Sequence, residues 1–121
     1  FTAFNSTETL KDAVDAYCRD EANWTSNALY ATYGPIEQWD VSLITYMGGL
    51  FYYKGTCNPS IGEWDTSRVT DFYYMFSGAD SFNQPIGNWD VSSGNYFVST
   101  SSFGLIFLCY IYSNFIHVYN H

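Results

Sequence analysis

Ile61-Gly62-Glu63-Trp64-Asp65-Thr66-Ser67-Arg68-Val69-Thr70 stands between two near copies of itself, Pro35-Ile36-Glu37-Gln38-Trp39-Asp40-Val41-Ser42 and Phe82-Asn83-Gln84-Pro85-Ile86-Gly87-Asn88-Trp89-Asp90-Val91-Ser92. The Trp-Asp pairs Trp39-Asp40, Trp64-Asp65 and Trp89-Asp90 follow one another at steps of 25 residues. Other positions keep that register: Ile36, Ile61 and Ile86 before each Trp, Ser42, Ser67 and Ser92 after it, then Thr45 with Thr70, Phe51 with Phe76 and Asn58 with Asn83. Self-similarity at a fixed period of 20–50 residues is the mark of a repeat architecture, whose units bury their apolar faces only by stacking. A 25-residue period is too short for a four-stranded propeller blade and falls in the range of leucine-rich-repeat-like solenoids.

Within a unit, the β-branched and aromatic residues of 36–41, 61–66 and 86–91 predict a short strand. Ile44, Met47, Leu50 and Phe51, like Val69, Phe72, Met75 and Phe76, then fall at i, i+3, i+6 and i+7, which predicts two or three helical turns. Ser42 and Ser67 are the expected caps of those turns. Asn58 and Asn83 are expected to point inward and fix the spacing between coils. Upstream, Leu10, Ala13, Val14, Tyr17 and Cys18 define an amphipathic helix from about Thr7 to Asp20, with Asn5 and Glu8 spaced as a capping box. A solenoid needs a half-polar cover on its first cross-section, and residues 1–33 suit that role. The expected architecture is therefore an α+β repeat. It comprises an N-terminal capping helix and lead-in at 1–33, repeat units near 35–59 and 60–84 with a partial unit at 85–93, and an uncharged aromatic tail at 94–121. For the tail three readings stand: a closing cap, a segment docked on a partner, or an imperfect gene reading. Its apolar run, Phe103–Tyr112, is about half of what a bilayer span needs.

The whole chain has 121 residues, enough for one core. Its formal charge of −8 excludes a phosphate backbone or an anionic lipid surface as partner. Aromatics make up 21% of the residues and charged side chains only 13%, which excludes disorder. Three cysteines without metal-ligand spacing signal neither a zinc site nor a disulfide framework, and Cys18 and Cys57 are read as small buried fillers in preference to a bridge. The start at Phe1 and the sequons at Asn5 and Asn23 lean towards secretion, after removal of a targeting segment or as an excerpt of a longer chain.

The three quoted stretches resemble the BspA-like leucine-rich-repeat surface proteins, whose units read FNQPIGNWDVSNVTxMxxMF, and the resemblance runs from about Leu10 to Ser93. It implies a secreted or surface-anchored solenoid associated with adhesion and with protein or matrix binding, and it brings no catalytic residues with it.

An exposed indole can stack on a pyranose face, but Trp39, Trp64 and Trp89 recur in register with Ile and Phe and are read as internal rungs. Trp24, outside the repeat, is the candidate ligand contact. Asp40, Asp65 and Asp90 are read as turn caps bonded to downstream amides; one acid per coil supplies too few oxygens for calcium. Neither cofactor nor metal site is signalled. The expectation is a non-catalytic adhesion module binding a protein or glycan partner. A structural subunit docked through its uncharged tail is the alternative, and a polysaccharide hydrolase the third choice.

Overall fold

Leu10, Ala13 and Val14 are buried on one face of helix α1, Thr7–Arg19, in the computed structural model, which describes residues 1–94. Expectations for the chain beyond Gly94 fall outside the described residues. Ser6, in extended conformation, is the N-cap of α1, and its hydroxyl oxygen accepts from the Thr9 N–H at 3.1 Å. The expected start at about Thr7 is met, with Ser6 as cap in place of the Asn5–Glu8 pair. After α1 the chain runs through a 3-10 segment, Glu21–Ser26, and a single turn α2, Tyr30–Tyr33, closed by Gly34 at φ +78°. A second 3-10 segment, Ile36–Gln38, opens the first repeat unit.

No β-strand forms among the described residues; the pairing is one isolated parallel bridge, Tyr46 to Asp71. The expected strands at 36–41, 61–66 and 86–91 are replaced by a 3-10 turn in the first unit and by a single turn with irregular flanks in each of the other two. The expected helical turns at 44–51 and 69–76 are absent too, and the hydrogen bonds give the reason. The N–H groups of Met47, Gly49, Phe51 and Tyr53 cross to the carbonyls of Asp71, Tyr73, Met75 and Ser77 at 2.8–2.9 Å. Those of Leu50, Tyr52 and Lys54 instead bond three residues back within their own unit. Every second amide joins the units and the others fold the chain into consecutive turns, so neither a helix ladder nor a sheet ladder completes. Two left-handed residues in each unit make the pattern possible, Gly49 and Tyr53 in the first, Tyr74 and Gly78 in the second. In sequence they lie 25 residues apart, pair by pair.

The inward set is the one the period marks. Ile36, Ile61 and Ile86, Trp39, Trp64 and Trp89, Val41 and Val91, and Phe51 and Phe76 are all buried. Thr66 takes the Val position in the middle unit, and its hydroxyl donates to the Asp90 carbonyl at 3.1 Å, so the buried hydroxyl is satisfied. Trp64 donates its indole N–H to Ile36 O at 2.8 Å and Trp89 repeats the bond to Ile61 O at 2.9 Å. The rings interleave: Trp39 stacks on Trp64 at 6.0 Å, Phe51 on Phe76 at 5.7 Å, and Trp89 on Phe72 at 6.0 Å. The three indoles are buried as expected of internal rungs, Trp39 on Trp64, but Trp89 stacks on Phe72 and Phe76, so the column mixes indoles and phenyl rings. The described chain is a small domain of short helices and turns around one large aromatic core.

Helix α1 covers the first unit in register. Thr7 donates to Tyr46 O at 2.8 Å, Lys11 Nζ to Gly48 O at 3.5 Å, Asp15 pairs with Lys54 at 2.9 Å, and Cys18 is disulfide-bonded to Cys57. Tyr46 and Gly48 precede by 25 residues Asp71 and Tyr73, whose carbonyls accept from the first unit. The helix thus donates from side chains to carbonyls one period before those that accept backbone amides. The bridge corrects the reading of Cys18 and Cys57 as fillers. Cys57 occupies the place of Phe82 one unit on, and only the docking of α1 brings Cys18 beside it.

Candidate functional site

Tyr46, Tyr52, Tyr53, Tyr73 and Tyr74 are the cluster of large side chains that the fold leaves exposed, between 39% and 70%. Among the described residues Phe1 and Leu43 are the other large hydrophobic side chains left exposed, Leu43 three residues before Tyr46. The tyrosines sit on the outer side of the cross-unit ladder, alternating with the buried Met47, Leu50, Phe51, Phe72, Met75 and Phe76. Tyr52 meets Tyr53 edge-on at 4.5 Å, Tyr73 lies 4.1 Å from Tyr74, and Tyr52 reaches Tyr74 in the next unit at 6.2 Å. These rings hold one another in place, since neighbouring aromatics attract edge to face.

Small residues opposite each tyrosine pair make the room. Gly48-Gly49 align with Tyr73-Tyr74, and Ser77-Gly78 with Tyr52-Tyr53, at the 25-residue offset. A Cβ on Gly78 would come within 2.4 Å of the Tyr53 ring, so a larger residue there would displace it. Tyr53 and Tyr74 have φ of +53° and +58°, the left-handed region that costs a non-glycine residue about 1–2 kcal/mol. Glycine occupies the equivalent positions, Gly78 and Gly49, so folding alone is better served by glycine at all four. Between Tyr46, Tyr52, Tyr73 and Tyr74 lies an open depression of about 220 Å³ also lined by Gly48 and Gly49, and Lys11 is its one charged lining residue. A larger open cavity of about 410 Å³ lies beside the disulfide, where the charges of Asp15 and Lys54 satisfy each other.

The residues singled out in the sequence serve the fold. Trp24, expected as a ligand contact, is buried and donates its indole N–H to Gly34 O at 3.1 Å; Trp39 uses the same acceptor at 2.9 Å. That corrects its assignment: the lead-in turns fold it under α1, against Tyr17. Asp40, Asp65 and Asp90 each accept, through Oδ1, the N–H and hydroxyl of the serine two residues on. Ser42, Ser67 and Ser92 are donors in these turns, which corrects the expected role of Ser42 and Ser67 as helix caps. The Ser67 hydroxyl, then its amide, holds the Asp65 carboxyl below its ordinary range, and Ser92 does the same for Asp90. Burial, followed by the charges of Glu21 and Glu37, pushes the Tyr17 phenol up. Asn58 and Asn83 are exposed, so the coil spacing they fix is set at the surface, where Asn58 Oδ1 accepts from the Asn83 N–H at 2.7 Å. Asn5 and Asn23 are both exposed, and the Asn23 amide donates to the Asp20 carboxylate.

Among the described residues no three His, Cys, Asp or Glu side chains are grouped to hold a metal, and no helix is long and apolar enough to cross a membrane. The tyrosine face is not among the sites expected from the sequence, where none of these five tyrosines stands out by the repeat motif. Its signal was present in the alternation of Tyr-Tyr and Gly-Gly at one repeat position.

A family model described as Mycoplasma protein of unknown function, DUF285, matches residues 20–103. That stretch begins just after α1 and takes in every repeat unit. No curated protein and no solved structure matches the chain.

Proposed function

The chain belongs to the DUF285 family, and from that premise we propose that it is a non-catalytic, secreted or surface-displayed binding module whose tyrosine face meets a protein or glycan partner. In this reading the fold is a short leucine-rich-repeat-like solenoid of the BspA-like kind, with α1 as its N-terminal cap. Hydrogen bonds repeated between units at offsets of 24 to 28 residues support it. The Cys18–Cys57 disulfide supports an oxidising compartment, since such bridges are rare where thiols are kept reduced. The engagement of all three repeat aspartates by their own turns supports a scaffold in place of a hydrolase, which needs free carboxylates facing a cleft.

One observation carries the proposal: five tyrosines are gathered on one side of a rigid core, two of them at backbone angles that favour glycine. Tyrosine offers large, stiff, amphipathic contact area at low entropic cost, which is why binding surfaces use it. The test is retention of the purified chain on immobilised matrix proteins and mixed polysaccharides, compared with a Tyr52→Ser/Tyr74→Gly variant. Saturable binding to at least one surface, weakened tenfold or more in the variant, is the expected result. Retention on none of them, or retention indifferent to the tyrosines, contradicts the proposal.

A further inference from the structure

We infer that the depression between Tyr52 and Tyr74 is a binding site for an uncharged pyranoside chain, an inference that rests on the tyrosine face being the contact surface. Three features of the site point to that chemistry. Its walls are phenol rings at fixed spacing, Tyr52 to Tyr74 at 6.2 Å and Tyr73 to Tyr74 at 4.1 Å. Such rings offer apolar faces to the C–H side of a sugar and hydroxyl tips to its oxygens, the combination by which Tyr serves sites that are half apolar and half wet. Its lining includes bare backbone at Gly49, Gly48 beneath the Tyr46 phenol, and the Lys11 ammonium, whose bond to Gly48 O uses one of its three donors. The remaining N–H groups suit hydroxyl acceptors.

Size and charge then choose among ligands. Half-exposed rings at about 150–250 Å² each when wholly covered give the five tyrosines roughly 500 Å² to offer. A stable protein partner usually takes about 800 Å² from each side, so the platform is small for one and ample for a few sugar rings. Lys11 by itself would favour an acidic sugar, but it stands on a chain of formal charge −8, whose field repels polyanions. Its positive charge also makes the site a poor cage for a quaternary ammonium, which needs aromatic faces free of cations. Tyr74 adds the final element: its ring is packed against Tyr73 at 4.1 Å and Tyr52 at 6.2 Å before any ligand arrives, so less ordering remains to be done on binding.

The experiment is saturation-transfer NMR and titration calorimetry on the full chain with maltohexaose, cellohexaose and N-acetylchitohexaose, and with hexagalacturonate as the acidic arm. Tyr74→Gly removes one wall while keeping the backbone at an angle glycine accepts, and Lys11→Met removes the ammonium while keeping the stem. Transfer to at least one neutral hexasaccharide is expected, with affinity lowered tenfold or more by Tyr74→Gly and about threefold by Lys11→Met. Binding of hexagalacturonate alone overturns the assignment to uncharged sugars. Failure of all four saccharides, with matrix-protein retention still tyrosine-dependent, overturns the glycan inference and leaves the binding face standing. If tyrosine-dependent retention fails as well, the proposed function falls with it. Unchanged melting of both variants excludes unfolding as the cause of any loss.

Discussion

Replacing Trp64 with alanine strikes the core at its middle unit. The indole is 3% exposed, stacks on Trp39 at 6.0 Å and touches Phe51 at 6.2 Å. Removing a buried Trp costs about 3–5 kcal/mol in lost transfer energy and cavity. The Ile36 carbonyl, which accepts the indole N–H at 2.8 Å, loses a buried donor, for about 1 kcal/mol more. The sum, about 4–6 kcal/mol, compares with a total of about 5–15 kcal/mol for a small domain, so Trp64→Ala should remove a large share of the stability and shift the unfolding midpoint far below that of the native chain. Trp64→Phe keeps a ring in the stack and gives up the N–H, and it should fold with a loss of about 1–3 kcal/mol. Urea unfolding followed by near-ultraviolet circular dichroism separates the three proteins. Trp64→Ala unfolding within 1 kcal/mol of the native chain would refute the stacked core.

Four amides, those of Met47, Gly49, Phe51 and Tyr53, show how much the sequence disclosed. The 25-residue register selects the inward apolar side chains, because burial is a property of side-chain spacing and repeats with it, but it misplaces Asn58 and Asn83, which are exposed. Backbone form was not legible, since Ile44, Met47, Leu50 and Phe51 reach the core equally well from a helix or from successive turns. The choice is made by bonds to a neighbouring unit, Met47 to Asp71 and Phe51 to Met75, that no local pattern contains. Trp24 and the Cys18–Cys57 bridge were missed for the same reason: each depends on where a distant segment docks. The tyrosine face could have been found by asking which aromatic residues stand opposite glycine one period away.

Reducing the disulfide, or making Cys18→Ser, should cost about 4 kcal/mol by loop-closure entropy for a 39-residue separation, read as a lower melting temperature in thiol; an unchanged melt contradicts a formed bridge. Gly78→Ala should cost about 2–3 kcal/mol, since φ is +75° and the new methyl meets the Tyr53 ring, whereas Tyr74→Gly should leave stability within about 1 kcal/mol; equal effects in a melting comparison would be a failure. Asp65 and Asp90 have folded-state pKa values below their ordinary ones, so their contribution is present above the ordinary carboxylate pKa of about 3.9 and is lost as pH falls through the depressed value. Melting measured from pH 6 downward should show an acid limb below about pH 4 that flattens in Asp65→Asn/Asp90→Asn, and identical limbs would count against those turns.

Amide hydrogen exchange at Met47, Gly49, Phe51 and Tyr53 reaches the central claim directly, because these N–H groups join the units and fix the tyrosines on one face. The account predicts that all four exchange as slowly as Val14 within α1, with Tyr52 faster. Exchange of the four at the rate of an open loop would contradict it.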